Sequence, residues 1–163
     1  MIEPKILWVE EKALAGIRIS TSLVENRDGE IWRPLRSRVA EFYERVGTDF
    51  YSVKVYDPEY HFSNLDPAAK FDKWAAIAVS KNSKLPEGFE SLSIPAGQYA
   101  EFIHRGTPEM AQRTFGYIFG TWLPRSAFDL DDRPHFEILG NDWSPFDESA
   151  QEAVLVPIKP RKK

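Results

Sequence analysis

Residues 91–110 read SLSIPAGQYAEFIHRGTPEM, and this stretch combines two strand-like runs with the start of a helix. The runs SLSIPAG and QYAEFIHR are typical of strands. Thr107, Pro108 and Glu109 then supply an N-cap residue, a proline at the first helical position and an acid in the first turn. The stretch therefore predicts two strands that lead directly into a helix.

The helix that begins here should end near Leu123, because Pro124 follows. Two further strands, PHFEILG and AVLVPIK, close the chain, and the proline in the second one indicates an edge strand or a strand end. The second half of the chain thus reads strand, strand, helix, strand, strand. The apolar residues of its helix are Met110, Phe115, Ile118, Phe119 and Trp122.

The first half of the chain has a similar order. The runs ILWV and ALAGIRISTSL predict one or two strands, and DFYSVKVYD and FDKWAAIAVSK predict two more, with PEYHFSNLDPAA as a turn. Between the two groups of strands we predict a helix with Pro34 in its first turn and Gly47 as its stop. The apolar positions of that helix are Ile31, Leu35, Val39, Phe42, Tyr43 and Val46.

The repeated order indicates an internal duplication within a single domain that spans residues 1–163. Its halves cover about 1–82 and 89–160, and each half is a strand–helix–strand–strand unit. We predict an α+β fold in which the two halves form one antiparallel sheet with both helices on one face. A groove between the helices and the sheet is then a natural place for a ligand.

The composition argues against several classes of protein and site. The 163 residues include 21 Lys and Arg and 25 Asp and Glu, which are interspersed, so we expect no direct nucleic acid binding. The chain has no cysteine and no apolar run long enough to span a bilayer, so we expect no membrane association and a cytoplasmic location. His61, His104 and His135 lack the spacing of metal ligands, and nucleotide-binding motifs are missing, so we expect no metal and no cofactor.

Glu137 is the residue whose position most needs an explanation, because it lies inside the short apolar strand PHFEILG. In a strand, Phe136 and Ile138 point to one side, and His135, Glu137 and Leu139 point to the other. If that second side is solvated, Glu137 is unremarkable. If it faces a cavity, the carboxylate is costly to desolvate and suits a cationic ligand or a proton transfer.

From Leu85 to Pro160 the sequence resembles the GyrI-like small-molecule-binding family, whose domain also forms the effector-binding part of some AraC-type and MerR-type regulators. The resemblance rests on LPEGFESLSIPAGQYAEFIHRGTPEM, FGTWLPRSAFDLDDRPHFEILGND and VPIKP, while AGIRIS, EIWRPL and KWAAIAVS are similar in the first half. It implies a pseudo-twofold pair of units that binds lipophilic, often cationic compounds between the halves. It also implies that Glu137 is the buried glutamate of that ligand cavity.

Aromatic residues make up 13% of the chain, and six of them are candidate ligand contacts besides Glu137. A buried carboxylate among aromatic faces attracts a lipophilic cation by charge and by cation–π contact. Core packing is the competing interpretation for these residues, and it is favoured for Trp122 at the helix end. Phe115 and Phe119 lie four positions apart, so we expect one to face the core and the other the groove. The candidates are Trp32, Tyr56, Trp74, Phe115, Phe119 and Trp122.

Three functions fit this sequence. The first is stand-alone binding of lipophilic, cationic small molecules by a sensor or a sequestering protein, and we expect no one-chain transcription factor because no helix-turn-helix segment precedes the first strand. The second, implied by the resemblance, is a hydrolase that opens strained electrophilic rings, with Glu137 activating water and Tyr56, Tyr99 or Tyr117 assisting. The third is a protein-interaction module with an unknown partner such as gyrase, since a gyrase-inhibiting member gives the family its name. We favour binding over catalysis and assign no catalytic residue.

Overall fold

The computed structural model describes residues 3–60, 62, 66–144 and 146–162, which form an antiparallel sheet and two helical segments. The first helical segment is α1 (Asp28–Arg38) with a 3-10 turn (Val39–Glu41). The second consists of a 3-10 turn (Pro108–Met110), α2 (Ala111–Tyr117), a π-helical stretch (Ile118–Trp122) and a last turn (Leu123–Arg125). The strands are β1 (Lys5–Val9), β2 (Lys12–Thr21), β3 (Arg45–Val55), β4 (Phe71–Val79), β5 (Glu90–Ile94), β6 (Gly97–Arg105), β7 (Phe128–Leu130), β8 (His135–Leu139) and β9 (Gln151–Pro160).

The strand order shows how the two halves share one sheet. The strands lie in the order β1-β6-β9-β8-β3-β4-β2-β5, with β7 paired to β9, and the pairs are antiparallel. The first strand of each half pairs with the second strand of the other half, β1 with β6 and β5 with β2. The halves meet again at the centre of the sheet, where β3 pairs with β8. Neither half therefore has a complete sheet of its own.

Both helical segments pack on the same face of the sheet. Ile31 and Leu35 of α1 are buried against residues of β2 and β4, and Ile118 is buried against residues of β6 and β9. Phe50 lies opposite Leu139 in the β3–β8 pairing, so the same side of the pleat continues from one half into the other. The structure confirms the predicted α+β fold with two helices on one face of an antiparallel sheet.

The other face of the curled sheet forms a separate apolar core. The hydroxyl group of Tyr99 donates a hydrogen bond of 2.8 Å to the carbonyl oxygen of Pro134, which satisfies a polar group within this core. Side chains at alternate positions of the central strands therefore lie on different faces of the sheet. The buried members of this core include Leu14, Tyr51, Val53, Trp74, Ile94, Tyr99 and Phe136.

The first helix ends earlier than the sequence predicts. Helical structure stops at Glu41, and Tyr43 and Val46 are exposed instead of continuing the apolar stripe. Val46 and Gly47 already belong to β3. Gly47 has a φ of 70° within the irregular first part of the β3–β4 pairing, so its conformational freedom serves a bulge in a strand and not a helix stop.

Pro34 and Pro124 both lie further inside helical segments than the sequence predicts. Pro34 lies in the second turn of α1 and not the first, because the helix begins at Asp28. The second helical segment ends at Arg125, two residues after the predicted Leu123, and it includes Pro124. The wide π-helical turn before Pro124 moves the backbone carbonyl groups away from the α-helical pairing that a proline disrupts.

The prediction that the proline of AVLVPIK marks an edge strand or a strand end is wrong, because β9 has neighbours on both sides and continues to Pro160. It pairs with β6 along one side, and with β8 and then the unpredicted β7 along the other. Leu155 is the last residue paired with β8, and Ile158 is the first paired with β7. Pro157 falls between these two pairings, where its missing N–H removes no ladder hydrogen bond.

Replacing Gly16 should destabilise the fold, because β2 passes close to β4 at this residue. An added Cβ atom would lie 2.7 Å from Cα of Ala76 and would also overlap the carbonyl group of Ala75. We expect Gly16→Ala to lower the free energy of unfolding by about 1–3 kcal/mol, measured by urea denaturation. Gly116→Ala is the matched control, because Gly116 is exposed on α2 with open space around it and alanine favours a helix. Equal stability of the two variants would contradict this account.

Candidate ligand-binding site

A cleft of about 1030 Å³ lies between the two helical segments and the sheet. Side chains of β3, β4, β8 and β9 form its floor, and α1, α2 and the turn Pro108–Met110 form its walls. Residues 143–148 contribute to its mouth through Trp143, Ser144, Phe146 and Glu148. The cleft thus takes side chains from both halves of the chain, and its volume suits a small organic molecule.

Glu137 points from β8 into this cleft. It lies opposite Ser52 in the β3–β8 pairing, on the side of the pleat that carries Phe50 and Leu139 beneath α1. Its side chain is 15% exposed. One side of this strand therefore faces an apolar core, and the other faces a cavity under the helices. Glu137 lies on the side that faces the cavity.

Lys54 balances the charge of Glu137 from the neighbouring strand. Its Nζ lies 3.8 Å from Oε1 of Glu137 and 4.4 Å from the centre of the Phe115 ring. The side chain of Lys54 is 18% exposed. The ammonium group is therefore held between a carboxylate and the face of an aromatic ring, and each of these attracts a cation.

Glu152 adds a second carboxyl group to the floor. It projects from β9, is nearly fully buried, and lines the cleft together with Glu137. Burial, the negative charge of Glu137 and a hydrogen bond with Glu137 raise the pKa of Glu152 to about 9, while Lys54 and Lys73 act in the opposite direction. Glu152 is therefore protonated near neutral pH and donates the hydrogen bond to Glu137. The two carboxyl groups and Lys54 together carry no net charge.

Lys73 occupies the adjacent position on β4, directly opposite Lys54 in the β3–β4 pairing. Its Nζ lies 2.6 Å from Oδ1 of Asp28, which reaches down from the first turn of α1. Arg36 lies further along α1, with its guanidinium carbon 4.4 Å from the centre of the Phe50 ring and 5.7 Å from that of Trp32. The first half of the chain therefore supplies the cationic side chains of the floor and one wall.

An aromatic cluster closes the inner end of the cleft. The Tyr56 and His135 rings are 4.9 Å apart, and Phe62 stacks on Phe119 at 4.7 Å. Burial, with the nearby charges of Lys54 and Arg133, lowers the pKa of His135 to about 3. His135 is therefore neutral at physiological pH.

Tyr56 also stays in its neutral form, because burial and the charge of Glu137 raise its pKa well above the usual value for a phenol. A recess of about 20 Å³ lies between Tyr56, Phe115, Phe119 and Glu137. That volume has room for one group of the size of a water molecule. The inner end of the cleft thus offers a proton donor and a carboxylate at one small site.

The structure brings most of the predicted contact residues to this cleft. Trp32, Phe115 and Glu137 line it, and Tyr56 and Phe119 line the inner recess. Phe115 lines both the cleft and the recess, whereas Phe119 lines the recess alone, and both rings also pack against the core of the second half.

Trp74 and Trp122 lie elsewhere. Lys73 and Ala75 point toward the helices, so Trp74 points to the opposite core, where it is 5% exposed. Trp122 packs against Phe102, with ring centres 5.2 Å apart, and supports the second helical segment on the sheet. Trp122 therefore has the packing role that the sequence favours, and neither tryptophan lines the cleft.

The cleft residues that were not predicted from the sequence include Lys54, Lys73, Trp143 and Glu152. A signal for Glu152 existed, because it alternates with Val154 and Val156 on one apolar side of QEAVLVPIK. Lys54 and Lys73 alternate with apolar residues of strands in the same way. Their opposite-charge partners lie on other strands or on α1, so no local pattern identifies the pairs.

Two further findings bear on the expectations about metals and membranes. Within residues 3–60, 62, 66–144 and 146–162, no three His, Asp or Glu side chains are grouped in a way that could hold a metal ion. In the same ranges, no helix has the length and apolar character needed to cross a membrane. His61 lies outside the described residues.

Comparisons with known proteins agree on a family. The model of a family described as GyrI-like small molecule binding domain matches residues 2–159. The transcriptional regulator BrlR of Pseudomonas aeruginosa is 27% identical over 106 residues, which are 63% of this chain and 39% of the regulator. The chain therefore spans well under half the length of that curated relative.

Solved structures share the fold at low sequence identity. The C-terminal domain of EcmrR has a TM-score of 0.74 and 13% identity, with 98% of each chain covered. SAV2435, in a structure bound to tetraphenylphosphonium, has a TM-score of 0.69 and 14% identity, with 97% of this chain and 94% of that chain covered. At these identities the likeness shows a common fold and no more.

The proton held by Glu152 predicts a pH-dependent stability. The pKa is raised from the ordinary 4.5 to about 9, so the folded state binds the proton more tightly, and stability falls as pH rises through this range. Glu152→Gln removes this loss. We expect the stability of the variant relative to the wild type to increase from about pH 5 to pH 8 by more than about 1 kcal/mol in urea denaturation.

Glu148→Gln is the control for this measurement, because Glu148 is an exposed glutamate at the mouth of the same cleft. It should show no such pH-dependent difference from the wild type. If Glu152→Gln and Glu148→Gln change with pH in the same way, Glu152 does not hold a proton in the folded protein.

Proposed function

Because the chain belongs to the GyrI-like small-molecule-binding domain family, we propose that it binds lipophilic, cationic small molecules in the cleft between its helices and its sheet. The observation that carries the proposal is the position of Glu137, a largely buried carboxylate at the floor of a cleft with aromatic walls. Trp32 and Phe115 provide aromatic faces from the two opposite helical segments. A cation over such faces and near a carboxylate gains energy without a fixed set of directional bonds, which suits ligands of different shapes.

The comparisons support this choice of ligand class. Tetraphenylphosphonium, named with SAV2435, is a large aromatic cation, and that protein shares this fold over nearly its whole length. BrlR is a transcriptional regulator, and a structure of EcmrR in complex with DNA shares this fold. We therefore propose that this domain acts as the sensing or sequestering part of a response to such compounds.

Removing the charge of Glu137 should weaken the binding of aromatic cations. We expect Glu137→Gln to raise the Kd for tetraphenylphosphonium by about tenfold or more, because the neutral amide does not balance the charge of the ligand. Quenching of tryptophan fluorescence would measure binding, since Trp32 and Trp143 line the cleft. Glu148→Gln, at the exposed mouth, is the control and should change Kd by less than about threefold. No saturable binding to the wild type would overturn the proposed ligand class.

A hydrolase that opens strained electrophilic rings is the second candidate function. The specific observation in its favour is the recess that lies beside Glu137 and Tyr56 and has room for one water molecule. Glu137 would accept a proton from water as the oxygen bonds to the ring carbon, and the neutral Tyr56 would donate a proton to the carbon released by ring opening. Glu152 and Lys54 would set the charge of the base.

Turnover separates the two functions. Incubation with an electrophilic cyclopropane compound, followed by mass spectrometry, should give a product heavier by one water molecule if the chain is a hydrolase. Tyr56→Phe and Glu137→Gln should then abolish the product, whereas Tyr117→Phe, which changes a tyrosine outside the recess, should retain it. If the protein binds the compound but leaves it unchanged after prolonged incubation, the hydrolase function is excluded and the binding function stands.

A further inference from the structure

Lys54 occupies the place in the cleft that a cationic ligand should favour most. Its Nζ is 3.8 Å from Oε1 of Glu137 and 4.4 Å from the centre of the Phe115 ring. These are the two kinds of contact that the proposed function assigns to the positive charge of the ligand: a carboxylate and an aromatic face. A ligand and Lys54 cannot place their positive charges at this position together, because like charges at such short distances repel.

We propose that Lys54 is an internal occupant of the cation site, and that a ligand must displace its ammonium group from Glu137 and Phe115 in order to bind. This inference rests on the proposed function and adds a residue that determines which cations the cleft accepts. Because Lys54 is part of the chain, its ammonium group competes with a ligand at a fixed effective concentration.

Two other cationic side chains of the cleft, Lys73 and Arg36, have different partners. Lys73 forms its ion pair with Asp28 of α1 at 2.6 Å, and Arg36 lies over the Phe50 ring at 4.4 Å. Among the ion pairs of the described residues, the one formed by Glu137 is with Lys54. Lys54 therefore contacts both Glu137 on the floor of the cleft and Phe115 on the second helical segment.

The geometry also makes displacement feasible. A separation of 3.8 Å exceeds the length of a good charge-assisted hydrogen bond, so the ammonium is held loosely. The flexible four-carbon stem of lysine can turn into the open part of a cleft of about 1030 Å³, where water solvates the charge. Glu152 keeps the carboxyl pair close to a single negative charge, so one positive charge is exchanged for another.

This exchange selects among cations. A small, strongly hydrated cation that displaces the Lys54 ammonium group makes only the contacts that Lys54 already made, so its binding gains no free energy from the exchange. A large aromatic cation adds the burial of its apolar body against Trp32, Phe115 and the rest of the wall, which offsets the loss of the Lys54 contacts. Lys54 therefore makes the site selective for bulky, weakly hydrated cations.

Replacing Lys54 by methionine should open the cation site while retaining an unbranched side chain of similar length. We expect Lys54→Met to bind tetraphenylphosphonium about tenfold more tightly than the wild type and to bind tetraethylammonium, a cation without aromatic groups, measurably. Lys73→Met is the matched control: Lys73 lies opposite Lys54, its side chain is 17% exposed, and it contributes the same charge to the floor. The control should gain less than about threefold, which measures the general effect of one fewer positive charge.

The outcomes separate this inference from the proposed function. If tetraphenylphosphonium binds the wild type, but Lys54→Met binds it no more tightly than Lys73→Met, the role of Lys54 is wrong and the proposed function stands. If none of the three proteins binds either cation, both proposals are wrong. In the Glu137→Gln background the gain from Lys54→Met should disappear, because the carboxylate that Lys54 occupies is missing.

A measurement on the wild type avoids any effect of the substitution on folding. Acylation of lysines, quantified by mass spectrometry of peptides, should label Lys54 faster when tetraphenylphosphonium saturates the site, because the expelled ammonium group becomes exposed. Lys81, an exposed lysine outside the cleft, should keep its rate and serves as the internal reference. An unchanged or slower rate at Lys54 on saturation would overturn displacement.

Discussion

The antiparallel pairing of β3 with β8 is the constraint on which the rest of the structure depends. It joins the two halves at the centre of the sheet and sets the register in which Ser52 faces Glu137 and Phe50 faces Leu139. Because side chains alternate along both strands, this register places Lys54 and Glu137 under the helices and Val53 and Phe136 in the opposite core. A shift by one residue would bury the charges in the apolar core and expose the apolar residues to the cleft.

Charged groups in such a place are costly, and their arrangement limits the cost. An isolated buried carboxylate loses several kcal/mol of hydration, on the order of what a whole domain has as net stability. Here Glu152 retains a proton, Lys54 compensates Glu137, and Asp28 compensates Lys73, so the floor of the cleft is close to neutral. A fully apolar floor would stabilise the fold more simply, and the charges are better explained by what the cleft binds.

The sequence predicts those features that depend on local periodicity. Alternation in FDKWAAIAV and HFEIL identifies strands, and the Thr107-Pro108-Glu109 start identifies the second helical segment. The prediction for Tyr43 and Val46 fails because apolar spacing alone does not distinguish a longer helix from a following irregular strand. Trp74 could not be assigned to a face without the pairing of its strand, and the Lys54–Glu137 contact joins segments that only the folded sheet brings together.

The two halves of the chain contribute corresponding strands to the sheet but different charges to the cleft. Lys54 and Lys73 project from β3 and β4 of the first half, whereas Glu137 and Glu152 project from β8 and β9 of the second. The floor is therefore electrically polarised along the sheet, positive at one end and acidic at the other. A molecule that carries its charge at one end would meet two unequal sides of the floor, so its two orientations in the cleft would differ in electrostatic energy.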